Sequence, residues 1–207
     1  MSATGRGPWY VYGDLSAGLN DYTGTRRIAF PGVDRSARAK YSGQDYTAFA
    51  TTGYDFVTNG MTVTPLASLQ YTHANLGGYT ESGAGSVNLT TRSQSYDFLE
   101  SGLGVKVSRA FVHRDLSFVP EVHAKWLHEL ANPVARQTSA FTAATGASFT
   151  TRGLKTANDT GNLGAGLTIL SCTCSARTWS LEAVYDYFQR SDHYAAHQGM
   201  LKFSSRF

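Results

Sequence analysis

The histidines of this chain are the first residues whose spacing suggests chemistry. His193 and His197 lie four residues apart in "HYAAH", and on a helix that spacing would let both imidazoles bind one zinc ion. On a β-strand the same residues stand roughly 13 Å apart, and the glutamate that a metalloprotease needs between them is missing. The segment therefore predicts histidines of a loop or a lumen, and no metal site.

The other reactive groups also lack the neighbouring residues that catalysis or metal binding would require. Glu182 and Asp186 share a strand face but lie too far apart to act on one bond. Two cysteines, Cys172 and Cys174, cannot form a structural zinc site by themselves. Two interpretations stay open: the cysteines form a strained small-ring disulfide, or they are two tolerated turn residues. There is no Gly-x-Ser-x-Gly elbow, and "GNLGAG" lacks the strand and helix of a dinucleotide site. We expect no enzyme and no cofactor.

Composition excludes several classes of protein. Only 16% of the residues are charged, the net charge is +3, and neither "TRRIAF" nor "RSARAK" is interleaved with stacking aromatics. A nucleic-acid partner is therefore not expected. No apolar run approaches the ~18 residues of a membrane helix. The start, "MSATGRGPWYVYGDL", has no signal-peptide pattern, which predicts either a cytosolic protein or a chain whose native start lies elsewhere.

Strands are the elements that must position these side chains. In the terminal "LKFSSRF", Leu201, Phe203 and Phe207 fall on one face, and Lys202 and Arg206 fall on the other. The same alternation recurs in "WYVYGDLSAGLN", "YTAFATTGYDF", "MTVTPLASLQYT", "FLESGLGVKVS", "LSFVPEVHAKWLHEL", "NLGAGLTIL" and "TWSLEAVYDYF". The pattern predicts about eight strands, each near the ~9–11 residues that cross a bilayer.

The connections between these strands alternate in length. "VTNG", "VHRD" and "SCTCSAR" are short, whereas residues 23–40, 74–94 and 131–159 form long polar segments that are predicted to be loops. A soluble β-sandwich would also alternate. Short turns at one end and long loops at the other, with aromatics near strand ends, favour an all-β, antiparallel up-and-down transmembrane β-barrel.

The chain resembles the C-terminal translocator domain of monomeric autotransporters. The resemblance is carried by "DYTGTRRI", "TPLASLQYT", "ESGAG", "ESGLGVKVS", "VPEVHAKWLHEL", "LGAGLTIL" and the terminal "LKFSSRF", in family order. It implies that residues 1–207 are the C-terminal portion of an outer-membrane barrel domain and match the last eight of the family's twelve strands. The first four strands, the plug helix and the passenger are not matched, so the chain is either a fragment or closes as eight strands.

The resemblance also implies a location, partners and site residues. It implies type V secretion at the outer membrane of a Gram-negative bacterium, with outer-membrane lipid, the barrel-assembly machinery and an N-terminal passenger as partners. The assembly signal would be Leu201, Phe203 and Phe207. The inward polar residues would line the pore and pair across it: Asp14, Glu100, Lys106, Glu121, Lys125, Glu182, Asp186, Lys202 and Arg206.

Two other functions remain open from the sequence. A free-standing eight-stranded barrel could bind host or cell-surface ligands with its long loops. An enzyme of the lumen or rim acting on lipids could use His123 or His128 with a nearby serine, although no supporting triad can be read. Pore size separates these hypotheses, because eight strands fill with side chains and larger barrels leave a channel.

Overall fold

A computed structural model describes residues 8–144, 146–171 and 178–206. Fourteen strands run in chain order: β1 Trp9–Phe30, β2 Val33–Tyr54, β3 Phe56–Thr58, β4 Met61–Leu76, β5 Tyr79–Thr80, β6 Leu89–Thr91, β7 Gln94–Arg109, β8 Phe111–His113, β9 Leu116–Ala131, β10 Arg136–Phe141, β11 Ser148–Arg152, β12 Asp159–Ser171, β13 Thr178–Arg190 and β14 Ala195–Arg206. A short 3-10 turn spans Gly85–Val87. No helix in these ranges is long and apolar enough to cross a membrane.

Eight long strands form one antiparallel sheet in strict chain order, β1-β2-β4-β7-β9-β12-β13-β14. Side chains from β1 to β14 line a common cavity, so the sheet is curled like half of a barrel. Within the described ranges β1 pairs only with β2 and β14 only with β13, which leaves both edges open. The prediction of an all-β, antiparallel up-and-down fold is confirmed.

Tight turns connect the strands at one end of the sheet. Asn59 and Gly60 take φ of 48° and 74°, which closes the hairpin of β3 and β4 with the left-handed residues that such turns need. Arg114, with φ of 51°, closes the hairpin of β8 and β9. Trp9 and Arg206 lie at this same short-turn end.

The expectation of a continuous strand through Tyr54 and Phe56 is wrong. Asp55 interrupts it: its N–H donates to the Pro8 carbonyl (2.7 Å), and its carboxylate accepts the Thr64 hydroxyl (2.5 Å). Phe56 therefore begins a separate strand, β3.

The three segments predicted to be long polar loops all contain β-structure. Residues 23–40 extend β1 and β2 into a hairpin that turns at Pro31-Gly32, where Gly32 has φ of 83°. Segments 74–94 and 131–159 contribute the four-stranded sheet β11-β10-β6-β5, here called the upper sheet. A bridge between Arg38 and Ser82 joins it to β2. The prediction of loops missed these strands because polar side chains on both faces remove the apolar alternation, while backbone pairing continues.

The junction between the hairpin and the upper sheet holds the buried apolar residues of the described chain, Ala37, Ala39 and Ala84. Glu81 is buried beside them and accepts two hydrogen bonds from Arg26, of 3.0 and 2.6 Å. Tyr41 stacks between Tyr22 and Tyr79, with ring centroids 5.1 and 4.6 Å away. Packing and ion pairing thus hold the upper sheet on the hairpin.

The described residues of the main sheet form no such core, and the sheet instead exposes a large apolar face. Leucine, valine and aromatic side chains of alternate positions are exposed on its convex side, among them Leu15, Leu69, Leu103, Val122 and Leu163. A continuous exposed apolar surface of this size needs an apolar environment. The opposite, concave face is polar and holds the candidate site.

Candidate functional site

The concave face encloses a cavity of about 510 Å³. Every long strand supplies at least one side chain to its wall, because successive residues of a strand alternate between the two faces. Five residues that the sequence predicted to face inward line this cavity: Glu100, Lys106, Glu121, Lys125 and Asp186. The structure therefore brings together charged groups from β7, β9 and β13.

Ion pairs on this face join neighbouring strands. Lys106 Nζ lies 3.8 Å from Glu121 Oε2, between β7 and β9. Lys202 Nζ lies 3.9 Å from Glu182 Oε2, between β13 and β14. The sequence had suggested pairs across a narrow lumen, whereas these two pairs run along the wall. Glu182 and Lys202 are directly opposed in the register, and Glu121 lies diagonally from Lys106 on the next strand. Long side chains reach each other in both arrangements.

A buried histidine links three strands of the wall. His123 Nε2 lies 2.7 Å from Asp186 Oδ1, and its Nδ1 lies 3.7 Å from Glu121 Oε1. The amide of Asn162, a residue only 1% exposed, donates to the same Asp186 oxygen at 2.8 Å. These contacts tie β9, β12 and β13 together.

Gly164 makes this network possible. In the register of the sheet it lies between His123 and Asp186, and a Cβ at this position would come within 2.3 Å of His123 Nε2. A side chain at this position would therefore displace the imidazole, so glycine lets His123 cross β12 to reach Asp186 of β13. The "GNLGAG" run thus serves packing inside a strand rather than nucleotide binding.

The histidines named as possible catalytic groups have carboxylate partners. His123 bonds to Asp186, and His128 Nδ1 lies 2.8 Å from Asp159 Oδ1. In the described ranges no serine hydroxyl hydrogen-bonds to either imidazole, and no group of three metal-binding side chains occurs. His193 lies in a turn with φ of 69°, whereas His197 lies on β14 and contacts the Tyr185 hydroxyl at 2.6 Å.

Two polar clusters that the sequence analysis missed lie at the long-loop end of the convex face. Asp97 accepts the Tyr71 hydroxyl at 2.6 Å and lies 2.7 Å from His73 Nδ1. Asp159 repeats the arrangement with the Trp126 indole N–H at 2.9 Å and with His128. The sequence shows an aromatic residue two positions before a histidine in both clusters. The aspartate that joins them can be identified only from the strand register.

Asp14, Leu201 and Phe203 do not line the cavity. Asp14 is exposed on the edge strand β1, opposite Phe49. Leu201 and Phe203 are 75% and 66% exposed on the other edge strand, β14, which Arg206 ends. Cys172, Cys174 and Phe207 lie outside the described residues.

A curled antiparallel sheet with an apolar convex face and a charged concave face is the wall of a membrane barrel. The sequence matches the family described as "Autotransporter beta-domain" over residues 1–185. The chain belongs to the autotransporter β-domain family. The protein is an outer-membrane protein of the Gram-negative type, and its family is one of translocators rather than enzymes.

The relatives found are rickettsial outer-membrane proteins. The chain is 29% identical over 168 residues to "Outer membrane protein B" of Rickettsia conorii, which covers 80% of this chain and 10% of the relative. It is 30% identical over 102 residues to "Outer membrane protein A" of Rickettsia rickettsii, covering 49% of this chain and 4% of the relative. "Outer membrane protein B" of Rickettsia typhi is 29% identical over 153 residues, which is 72% of this chain and 9% of the relative. The chain thus spans a tenth or less of these relatives.

Proposed function

We propose that this chain forms the last eight strands of a twelve-stranded translocator that delivers an N-terminal passenger to the cell surface. In this proposal residues 1–207 are the C-terminal portion of the barrel domain. The observation that carries it is a sheet of eight long strands with a charged concave face and two open edges. A preceding strand would pair with β1 through main-chain hydrogen bonds, as an added strand pairs with any free sheet edge.

The proposal gives the inward charges a role as the lining of the translocation pore. The proposed lining residues are Asp14, Glu100, Lys106, Glu121, Lys125, Glu182, Asp186, Lys202 and Arg206. The wall pairs Lys106–Glu121 and Lys202–Glu182 hold opposite charges close together, which would leave a passenger in transit a polar surface without a strong field of one sign. No reaction is assigned to this chain, and any chemistry would belong to the passenger.

A chimera tests the translocator proposal. Residues 8–207 replace the matching 168-residue region of "Outer membrane protein B" of Rickettsia conorii, expressed in a Gram-negative host. We expect the N-terminal part of the chimera to be cut by protease added to intact cells. The matched control lacks β14 and should leave that part protected. A folded, heat-modifiable chimera whose N-terminal part stays protected would refute the proposal.

One observation favours a second function, a free-standing barrel that binds ligands with its long segments. The upper sheet is ordered β-structure rather than loose loop, as a binding platform would be. Single-channel conductance of the chain alone in planar bilayers separates the two functions. A steady open pore indicates a larger assembly of strands, and silence indicates eight strands closed around a filled interior.

We also propose that the last strand is read by the barrel-assembly machinery. Leu201 and Phe203 point outward from an edge strand that has one free side, and Phe207 continues their alternation in the sequence. A free edge with alternating apolar side chains is what β-augmentation recognises.

A further inference from the structure

The upper sheet is strongly basic. The stretches between the long strands that form it, residues 77–93 and 132–158, contain four cationic residues, Arg92, Arg136, Arg152 and Lys155, and one acidic residue, Glu81. Glu81 is already bound to Arg26 of β1. The excess of positive charge therefore faces no acidic side chain of its own sheet.

The three arginines lie on one face of adjacent strands. Arg136 of β10 and Arg152 of β11 are directly opposed in the register. Arg92 directly follows β6, and its N–H donates to the Thr138 carbonyl at 3.1 Å, which sets it diagonally beside Arg136. All three are exposed. Like charges directly opposed across a sheet repel each other, so this arrangement costs stability unless an anion lies between them.

The three arginines lack the carboxylate partners that some cations of this end possess. Arg26, Arg27 and Arg190 each have a carboxylate within 3.0 Å. Among the residues that the structure describes, no carboxylate lies within ion-pair distance of Arg92, Arg136 or Arg152. Hydroxyl groups flank them instead: Thr138 and Thr150 hydrogen-bond to each other at 2.9 Å on the same face. Guanidinium and hydroxyl donors together are suited to phosphate oxygens.

This face continues the convex, lipid-facing surface. Arg38 lies on the convex side of β2, and Ser82 is opposed to it across the bridge. Alternation along the strands then places Thr80, Thr90 and Thr138 on the convex side. Tyr79 and Thr91 lie on the concave side. Asp97 marks the aromatic cluster at the end of the apolar band. Arg92 is five residues beyond it, or about 16 Å along an extended chain. Arg92 therefore lies beyond the apolar band, on the side of the headgroups.

We propose that Arg92, Arg136 and Arg152 form a site for the phosphate groups of a phosphorylated glycolipid in the outer leaflet. The site rests on the outer-membrane location of the chain, not on passenger transport. It would fix the upper sheet against the membrane surface on the side away from the pore.

Glycolipid binding by the folded full chain in detergent micelles tests the site. The probes are a bisphosphorylated glucosamine-disaccharide glycolipid and the same lipid without phosphates. We expect the parent chain to bind the phosphorylated lipid at least tenfold more tightly, and Arg136→Gln/Arg152→Gln to lose that difference. The matched control, Arg109→Gln/Arg114→Gln, removes the same charge at the short-turn end and should bind like the parent. Equal binding of the two lipids by the parent overturns the proposal.

Two further measurements separate this site from simpler explanations. Because Arg136 and Arg152 repel each other, the double variant should unfold at the same or a higher urea concentration while its glycolipid binding falls. A parallel loss of both properties would indicate a structural role and contradict the proposal. A soluble sulfated polysaccharide is the competing ligand. If the parent binds it and shows no preference for the phosphorylated lipid, the surface belongs to a soluble glycan and not to the membrane.

Discussion

Val122 and Lys125 are close neighbours on β9 but face opposite sides of the sheet. Val122 is 58% exposed on the convex face, and Lys125 lines the concave cavity. We expect Val122→Arg to lower the free energy of unfolding by roughly 2–4 kcal/mol, because it places a charge against the lipid near the midplane. Lys125→Gln should have a much smaller effect. Urea titration after refolding into lipid vesicles measures both.

Ala124→Arg serves as a second probe of the convex face, since Ala124 shares the side of Val122. It should be damaging in the same way. Similar losses for Lys125→Gln and the two arginine variants would mean that the assignment of faces on β9 is mistaken.

Alternation in the sequence predicts the face on which a single residue lies, but not its contacts. Glu121 and Lys125 could be assigned to one face from β9 alone, because a strand alternates strictly. The contact of His123 with Asp186 spans 63 residues and depends on the register of three strands. Gly164 is the clearest example. It leaves space for the contact between His123 and Asp186, and this role can be recognised only when the neighbouring strands β9 and β13 are in place.

At the scale of elements, a substitution at Gly60 tests how much the left-handed turn at Asn59-Gly60 contributes to the stability of its hairpin. A Cβ at Gly60 would meet no atom within 4 Å, so the effect of Gly60→Ala comes only from the φ of 74°. We expect a loss of about 1 kcal/mol, the cost of a left-handed conformation for a residue with a side chain. Gly199→Ala on β14 is the control: it has equally open space, no positive φ, and should cost little. Comparable losses in urea titrations of the two variants would exclude backbone strain as the cause.

The lengths of β1 and β2 show where prediction of elements fails. Both strands have 22 residues, about twice what a bilayer crossing needs. Their outer halves carry Arg, Ser, Thr and Ala on both sides, so hydrophobic alternation stops although the hairpin continues to its turn at Gly32. The pairing there is maintained by backbone hydrogen bonds and by the packing of Ala37 and Ala39.

The ion pair of Glu81 and Arg26 makes the attachment of the upper sheet depend on pH. Hydrogen bonds from Arg26 lower the pKa of Glu81 below its usual value, despite the opposing effect of burial. A carboxyl group with a lowered pKa contributes stability that is fully present above the unfolded-state pKa of about 4.3. That contribution is lost as the pH falls through the lower pKa of the folded state. We therefore expect the near-UV circular dichroism of the stacked Tyr22, Tyr41 and Tyr79 to weaken in this acidic range.

Glu81→Gln is the matched variant for this measurement. It keeps the size of the side chain but cannot titrate, so its spectrum should be weaker at neutral pH and should lack the acidic step. An acidic step of equal size in the variant would assign the change to other carboxyl groups.

At the scale of the whole molecule, the eight long strands and their antiparallel order were accessible from the sequence, but the short strands and the openness of the sheet were not. Local alternation of apolar and polar residues predicts each of the eight long strands, and short turns between them predict antiparallel neighbours. Closure depends on the total number of strands and on their stagger, which no single strand encodes. The open edges of β1 and β14 therefore had to come from the structure.

The edge strand β14 connects the architecture to assembly in the cell. If this strand is an assembly signal, deletion of Phe207 or Phe207→Ser should lower the amount of folded protein in outer membranes, with much less effect on refolding into detergent, where no machinery acts. One buried aromatic contributes only about 1.5–3 kcal/mol to a finished barrel. Recognition of a free edge, by contrast, concentrates its specificity in a few alternate side chains, here Leu201, Phe203 and Phe207. Heat-modifiable migration on gels, compared between cell membranes and detergent refolding, measures the difference.

Leu201→Ser, at an outward position of the same strand, should show the same contrast, whereas Ser204→Ala on the other face should not. If Phe207→Ser lowers both preparations equally, its role is confined to the packing of the barrel.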